Sequence, residues 1–160
     1  MAVAPKYSAP PKYMAVQAAA MIVAGGVAVL GVLGFIPGLT TEFYQLSWAG
    51  QRSETLLFGT FAVSALMNIG HLVIGAAGFI LARSYAGARA YLLAGGAIYL
   101  GLWLYGVLVE RGSSAHVLPL NGADHWLHLG LGSVMILLAV TLAGQHDPTK
   151  QRPRRMRTAA

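Results

Sequence analysis

Two histidines within long apolar segments are the residues of this chain whose type and spacing indicate chemistry. His71 and His128 lie 57 positions apart, and each is followed by leucine and, four residues later, by a glycine, Gly75 or Gly132. Placing a histidine in a segment that suits lipid costs free energy. Two histidines at matched positions therefore indicate that they serve one role together. Imidazole can bind a metal or haem, move a proton, or hydrogen-bond a neighbouring helix.

The simplest interpretation of the histidines is structural. Buried polar groups need hydrogen-bond partners, and the polar residues of the two segments can supply one another. The predicted interhelical network consists of Asn68, His71, Asp124, His125 and His128. On this interpretation the chain is an accessory or scaffold protein of a membrane.

A second interpretation is a b-type haem held by His71 and His128 as its two axial ligands. Gly75 and Gly132, one helical turn beyond each histidine, would then leave space for the flat macrocycle. Glycine at this spacing also favours close packing of membrane helices. The pattern therefore permits haem b without selecting it.

A third interpretation is a metal, proton or small-ligand site. Asp124, His125 and His128 are spaced to share one helical face, and His71 could complete a set of nitrogen and oxygen ligands. The same residues could relay protons or hold a polar ligand. The chain has no cysteine, which excludes thiolate ligands and cysteine nucleophiles. Nucleophile elbows, phosphate loops and metalloprotease motifs are also missing from the sequence, so we do not expect an enzyme.

The composition indicates that membrane helices position these residues. Apolar residues make up 56% of the chain and charged residues 10%, whereas soluble domains have roughly 45–50% and 25%. Four apolar segments approach or reach the length of about 20 residues that spans a bilayer. They are residues 14–36, 65–82, 90–109 and 122–144. The predicted fold is all-α, a four-transmembrane-helix bundle over residues 14–144, with a disordered segment 1–13 and a basic tail 145–160.

The basic residues predict the orientation in the membrane. Nine of the eleven fall on the side of the termini and of the connection between the second and third segments. They are Lys6, Lys12, Arg83, Arg89, Lys150, Arg152, Arg154, Arg155 and Arg157. The positive-inside rule then places both termini in the cytoplasm, as expected of a plasma-membrane protein. The basic tail is expected to lie on anionic lipids of the inner leaflet and not on nucleic acid.

The match between the two histidine segments extends upstream to Ser64 and Asn121, each seven residues before its histidine. Both residue types are helix N-caps, so we expect the histidines at similar depth, about 10 Å along their helices. Each of these helices follows another spanning segment, which predicts two helix pairs related as a parallel repeat. Small residues on the first and third helices permit a homo-oligomer or another membrane protein as partner.

Three blocks of sequence resemble the signature of a bacterial membrane family, the domain of unknown function 4383. They are Gly-Phe-Ile-Pro-Gly-Leu-Thr at 34–40, Phe-Ala-Val-Ser at 61–64 leading to Asn-Ile-Gly-His-Leu at 68–72, and Leu-Pro-Leu-Asn-Gly-Ala-Asp-His-Trp-Leu-His at 118–128. The resemblance covers about residues 14–144 and implies a four-helix integral membrane protein without an established activity. Family members often have asparagine where this chain has His125, so the resemblance favours His71 and His128.

Overall fold

The computed structural model describes residues 14–50, 54–110 and 112–142, in which the chain forms four α-helices and one short hairpin. The helices are α1 (Ala15–Leu33), α2 (Ala65–Leu81), α3 (Tyr85–Leu108) and α4 (Gly122–Thr141). Strands β1 (Leu56–Leu57) and β2 (Phe61–Ala62) pair antiparallel in the loop between α1 and α2. The prediction of an all-α four-helix fold is confirmed, while segments 1–13 and 145–160 lie outside the described residues.

Three helix ends differ from the sequence prediction by three residues or more, and one of them is the end of α4, at Thr141 instead of residue 144. The first helix ends at Leu33 instead of residue 36, because the chain turns after Gly34 and Pro37 cannot continue a helix. The third helix begins at Tyr85 instead of residue 90, because the Ser84 side chain caps it by accepting a hydrogen bond from Gly87 N at 3.0 Å. Arg89 therefore lies within α3, and not in the connection where the sequence predicts it.

The outer faces of the helices are apolar. Ile22, Val73 and Leu137 are 76%, 62% and 61% exposed on α1, α2 and α4. In the described part of the chain, α1, α3 and α4 are long and apolar enough to cross a membrane, and α2 is an apolar helix of 17 residues. Helices that are apolar on their outer as well as their inner faces suit lipid, so this is an integral membrane protein.

The helices pack as two pairs, α1 along α2 and α3 along α4. In each pair a glycine lets the helices touch. A methyl group built on Gly75 of α2 would lie 2.7 Å from Ala28 Cβ of α1, and one built on Gly132 of α4 would lie 2.7 Å from Leu100 Cγ of α3. These distances are far below the 3.5–4.0 Å of a normal carbon contact. The two matched glycines therefore have the same role in packing.

Candidate ligand-binding site

The matched histidines meet in the interior of the bundle, between α2 and α4. Their ring centroids are 6.3 Å apart and the ring planes differ by 22°. Ser64 and Asn121 act as N-caps: Ser64 Oγ accepts a hydrogen bond from Met67 N, and Asn121 Oδ1 accepts one from Asp124 N. Equal spacing from these caps thus brings His71 and His128 side by side, and both are buried.

Tyr99 adds a third ring to this cluster and is the site residue that the sequence reasoning missed. Its ring centroid lies 5.9 Å from that of His71 and 5.7 Å from that of His128, and the residue is fully buried. The position of Tyr99 well inside α3 was the available signal, since anchoring tyrosines belong at the membrane surface.

The cluster does not fit a haem between the two histidines. The Tyr99 ring is almost equidistant from both imidazoles, so it lies close to the plane midway between them. A macrocycle bound by both histidines would extend through that plane. Gly75 and Gly132 face α1 and α3, and so they do not provide the space that the haem interpretation assigns to them.

The predicted metal ligands, as the structure describes them, do not form a coordinating group. Asp124 Oδ2 accepts hydrogen bonds from Ala62 N at 3.1 Å and Asn121 N at 2.9 Å. His125 lies against α3, where a methyl group built on Gly106 would be 2.5 Å from His125 Nε2. Among the residues that the structure describes, no group of three or more histidine, aspartate or glutamate side chains is placed to hold a metal ion.

Asn121 and Asp124 instead attach the loop hairpin, residues 54–64, to the beginning of α4. Besides the bond from Ala62 N to Asp124 Oδ2, Asn121 Nδ2 donates to Thr60 O at 2.7 Å. The carboxylate also completes a capping box with Asn121. The hairpin is thereby held across the end of the bundle, above the histidines.

A small cavity, here called the polar cavity, lies beneath the loop hairpin. Its volume is about 20 Å³, which is room for about one water molecule. Its polar lining comes from Asn68, His71, Asp124 and His128, and its apolar lining includes Phe61 of the hairpin. The structure thus places four of the five residues of the predicted network around one cavity.

These side chains do not satisfy one another. Four buried polar atoms around the histidine pair, here called the open polar atoms, have no hydrogen-bond partner within the described residues. They are Asn68 Nδ2, His71 Nε2, Tyr99 Oη and His128 Nδ1. Buried polar groups are nearly always hydrogen-bonded, and an unpaired one costs roughly 1–3 kcal/mol. Such atoms on three different helices are typical of a site that binds a molecule from outside the chain.

His71 has a defined hydrogen-bonding direction. Its Nδ1 lies 2.9 Å from Met67 O, and because a carbonyl oxygen only accepts, Nδ1 is the atom that carries the hydrogen. In the neutral ring Nε2 is then a hydrogen-bond acceptor. His71 therefore offers a lone pair, which requires a donor.

A second cavity, the lateral groove, lies on the flank of the bundle between α2 and α3. It has a volume of about 230 Å³. Its lining is almost wholly apolar and comes from Leu66, Met67, Gly70, His71, Ile74, Ile98, Tyr99, Leu102 and Leu118. Met67 and His71 line both the lateral groove and the polar cavity, so they form the wall that the two share.

Comparison with known proteins gives a family but no activity. A family model described as a domain of unknown function (DUF4383) matches residues 17–141. No curated protein matches the chain, and no solved structure does.

Proposed function

We propose that this chain, which belongs to the DUF4383 family, is a membrane protein that binds a small molecule between α2, α3 and α4. The binding residues are His71, Tyr99 and His128, with Asn68 in support. The four open polar atoms carry the proposal. Leaving them unpaired would cost several kcal/mol in total, and a bound molecule would remove that cost. We propose binding without catalysis, because the sequence contains no nucleophile or phosphate-binding motif.

The size of the polar cavity favours a second candidate, an accessory or scaffold protein. One water molecule in about 20 Å³ could join Asn68 Nδ2, His71 Nε2 and His128 Nδ1. The histidines would then connect α2 to α4 through water and serve stability alone. Tyr99 distinguishes the candidates, because its hydroxyl is an open polar atom too and the residue lines the lateral groove.

Compounds that copurify with the protein test binding. We expect mass spectrometry of solvent extracts to find a compound at about one per chain in the wild type. The double variant His71→Phe/His128→Phe should lose that compound, because both ring acceptors are removed. Val73→Phe is the matched control, since it adds the same side chain to the lipid-facing side of α2, and it should retain the compound.

Size-exclusion chromatography of each variant checks that the protein is folded. Identical extracts from folded wild type and double variant would contradict binding at this cluster and would leave the scaffold function. His71→Gln provides a milder variant, because glutamine keeps a hydrogen-bond acceptor on a side chain of similar length.

We also propose that both termini lie in the cytoplasm of the cell that makes the protein and that the loop hairpin faces outward, on the evidence of the basic residues. Because the chain has no cysteine, a single cysteine reports its own location. Tyr44 is 99% exposed in the first loop, so Tyr44→Cys in intact cells should react with a membrane-impermeant maleimide. Ala159→Cys should react only after lysis, and the reverse pattern would contradict this orientation.

A further inference from the structure

We propose that the bound molecule is a lipid-soluble alcohol whose hydrocarbon chain lies in the lateral groove and whose hydroxyl group bonds His71 and Tyr99. This inference rests on the proposed function, because it names the class of compound and the direction of entry for the same site. Three observations support it: the lining of the groove, the closed loop end and the hydrogen-bonding directions of the two side chains.

The lateral groove suits a single hydrocarbon chain. Its wall is built from Leu66, Ile74, Ile98 and Leu102, and van der Waals contact with such side chains can replace the contact of a hydrocarbon chain with lipid tails. At about 230 Å³ it is smaller than the roughly 300–1,000 Å³ of pockets that hold drug-sized molecules. A chain of one alkyl or isoprenyl group therefore fits it better than a ring system or a two-chain lipid.

The direction of entry follows from what closes the loop end. Above the polar cavity, the loop hairpin is held to α4 by the bonds from Ala62 N to Asp124 and from Asn121 to Thr60 O. The lateral groove, in contrast, lies on the flank of the bundle, where α2 and α3 would face lipid. A molecule dissolved in the bilayer can therefore approach His71 from the side without moving the hairpin.

The polar end of the molecule is selected by His71 and Tyr99. With Nδ1 donating to Met67 O, His71 Nε2 accepts a hydrogen bond. Tyr99 also lines the groove, and its Oη, another open polar atom, can donate one. A hydroxyl group both donates and accepts, so it can satisfy both atoms at once. An ether of the same length can only accept and would leave His71 Nε2 unpaired.

Photocrosslinking with a decanol that carries a diazirine at the end of its chain tests this inference. In the wild-type protein in lipid nanodiscs, we expect crosslinks on Ile74, Ile98 or Leu102, mapped by mass spectrometry. Unlabelled decanol should compete for these crosslinks at a concentration roughly threefold to tenfold lower than decyl methyl ether, the effect of one hydrogen bond. His71→Phe should abolish that difference between the alcohol and the ether.

Two glycine variants separate the groove from general contact with lipid. A side chain at Gly70 would enter the groove, and a methyl group built there meets nothing within 4 Å. Gly70→Leu should therefore fold and lower the crosslinking at least tenfold. Gly130 on α4 is equally free of neighbours, so Gly130→Leu is the matched control and should leave the crosslinking unchanged.

The outcomes distinguish this inference from the proposed function. Equal competition by decanol and its methyl ether, or undiminished crosslinking in Gly70→Leu, would overturn the assignment of a lipid-soluble alcohol. The proposed function would survive that result if a compound is still lost from the extract of His71→Phe/His128→Phe. Loss of the alcohol preference in His71→Phe, together with blocked crosslinking in Gly70→Leu, would support the alcohol in the lateral groove.

Discussion

The two helix pairs are alike where their helices touch and differ at the end that carries the loops. Gly75 and Gly132 allow the same close contact with α1 and α3, and Ser64 and Asn121 cap α2 and α4 at the same distance from a histidine. Only the second pair adds a carboxylate, Asp124, which bonds the loop hairpin. The shared features set the packing of the helices and the depth of the two histidines, whereas Asp124 attaches the hairpin above them.

The first helices of the two pairs, α1 and α3, also combine an equivalent position with a different residue. Ala28 meets Gly75 as Leu100 meets Gly132, so the residue before each, Val27 or Tyr99, occupies an equivalent position. Both are buried. These matched contacts support the parallel repeat that the sequence predicts. Each pair contributes one histidine, and the hydroxyl of Tyr99 beside them comes from the second pair alone.

Removing the hairpin attachment should produce the largest difference in stability between variants of the two pairs. Asp124→Ala would leave two backbone donors, Ala62 N and Asn121 N, without their acceptor. At about 1–3 kcal/mol for each donor left without an acceptor, we expect a loss of about 2–6 kcal/mol of unfolding free energy. Ser64→Ala removes only a cap in the other pair and should cost about 1 kcal/mol. Chemical unfolding in detergent micelles would compare them.

A cysteine in the hairpin shows whether the same bonds close the loop end. Val63 is buried, so Val63→Cys should react slowly with maleimide in an otherwise wild-type chain. Adding Asp124→Ala should speed the reaction, while adding Ser64→Ala should change it little. Equal stability losses in the two variants, with equal labelling rates, would contradict a special role for the second pair.

The next effect in size should be the same in both pairs. Gly75→Ala and Gly132→Ala each place a methyl group within 3 Å of the facing helix, and such overpacking costs roughly 1–3 kcal/mol. Gly130→Ala adds a methyl group in open space and should stabilise α4 by roughly 0.5–1 kcal/mol. Thermal unfolding would measure all three, and a large effect in only one of the two contact glycines would argue against equivalent pairs.

The sequence predicted those parts of the molecule that depend on local patterns. The lengths of the apolar segments predicted four helices. The caps at Ser64 and Asn121 lie equally far from His71 and His128, and this spacing predicted that the two histidines lie at the same depth along their helices. Helix ends were less predictable, because the early start of α3 depends on a single hydrogen bond to Ser84. Nothing in the sequence of one segment distinguishes such a cap from a loop serine.

The side-chain contacts of the site were harder to predict, because they depend on which loop crosses which helix. Asp124 has the spacing of a metal ligand beside His128, but its carboxylate bonds a hairpin that lies about 60 positions earlier in the chain. His125 faces α3 at Gly106, which depends on the rotation of α4 and not on residue type. Such long-range contacts leave no periodic signal in either segment.

The smallest change in stability should come from Tyr99→Phe, and it tests the main difference between the pairs. Because Tyr99 Oη is an open polar atom, removing it deletes no hydrogen bond made within the described residues. The unfolding free energy of the protein without added alcohol should then stay within about 1 kcal/mol of the wild type or rise slightly.

In saturating decanol, Tyr99→Phe should gain less thermal stability than the wild type, because a partner of the bound hydroxyl has been lost. Val27→Thr is the mirror of this change in the first pair, since it introduces a hydroxyl into a buried apolar position. It should cost about 1–3 kcal/mol with or without decanol. A cost above about 2 kcal/mol for Tyr99→Phe without decanol would mean that the protein itself bonds this hydroxyl. The difference between Tyr99 in one pair and Val27 in the other would then serve stability and not binding.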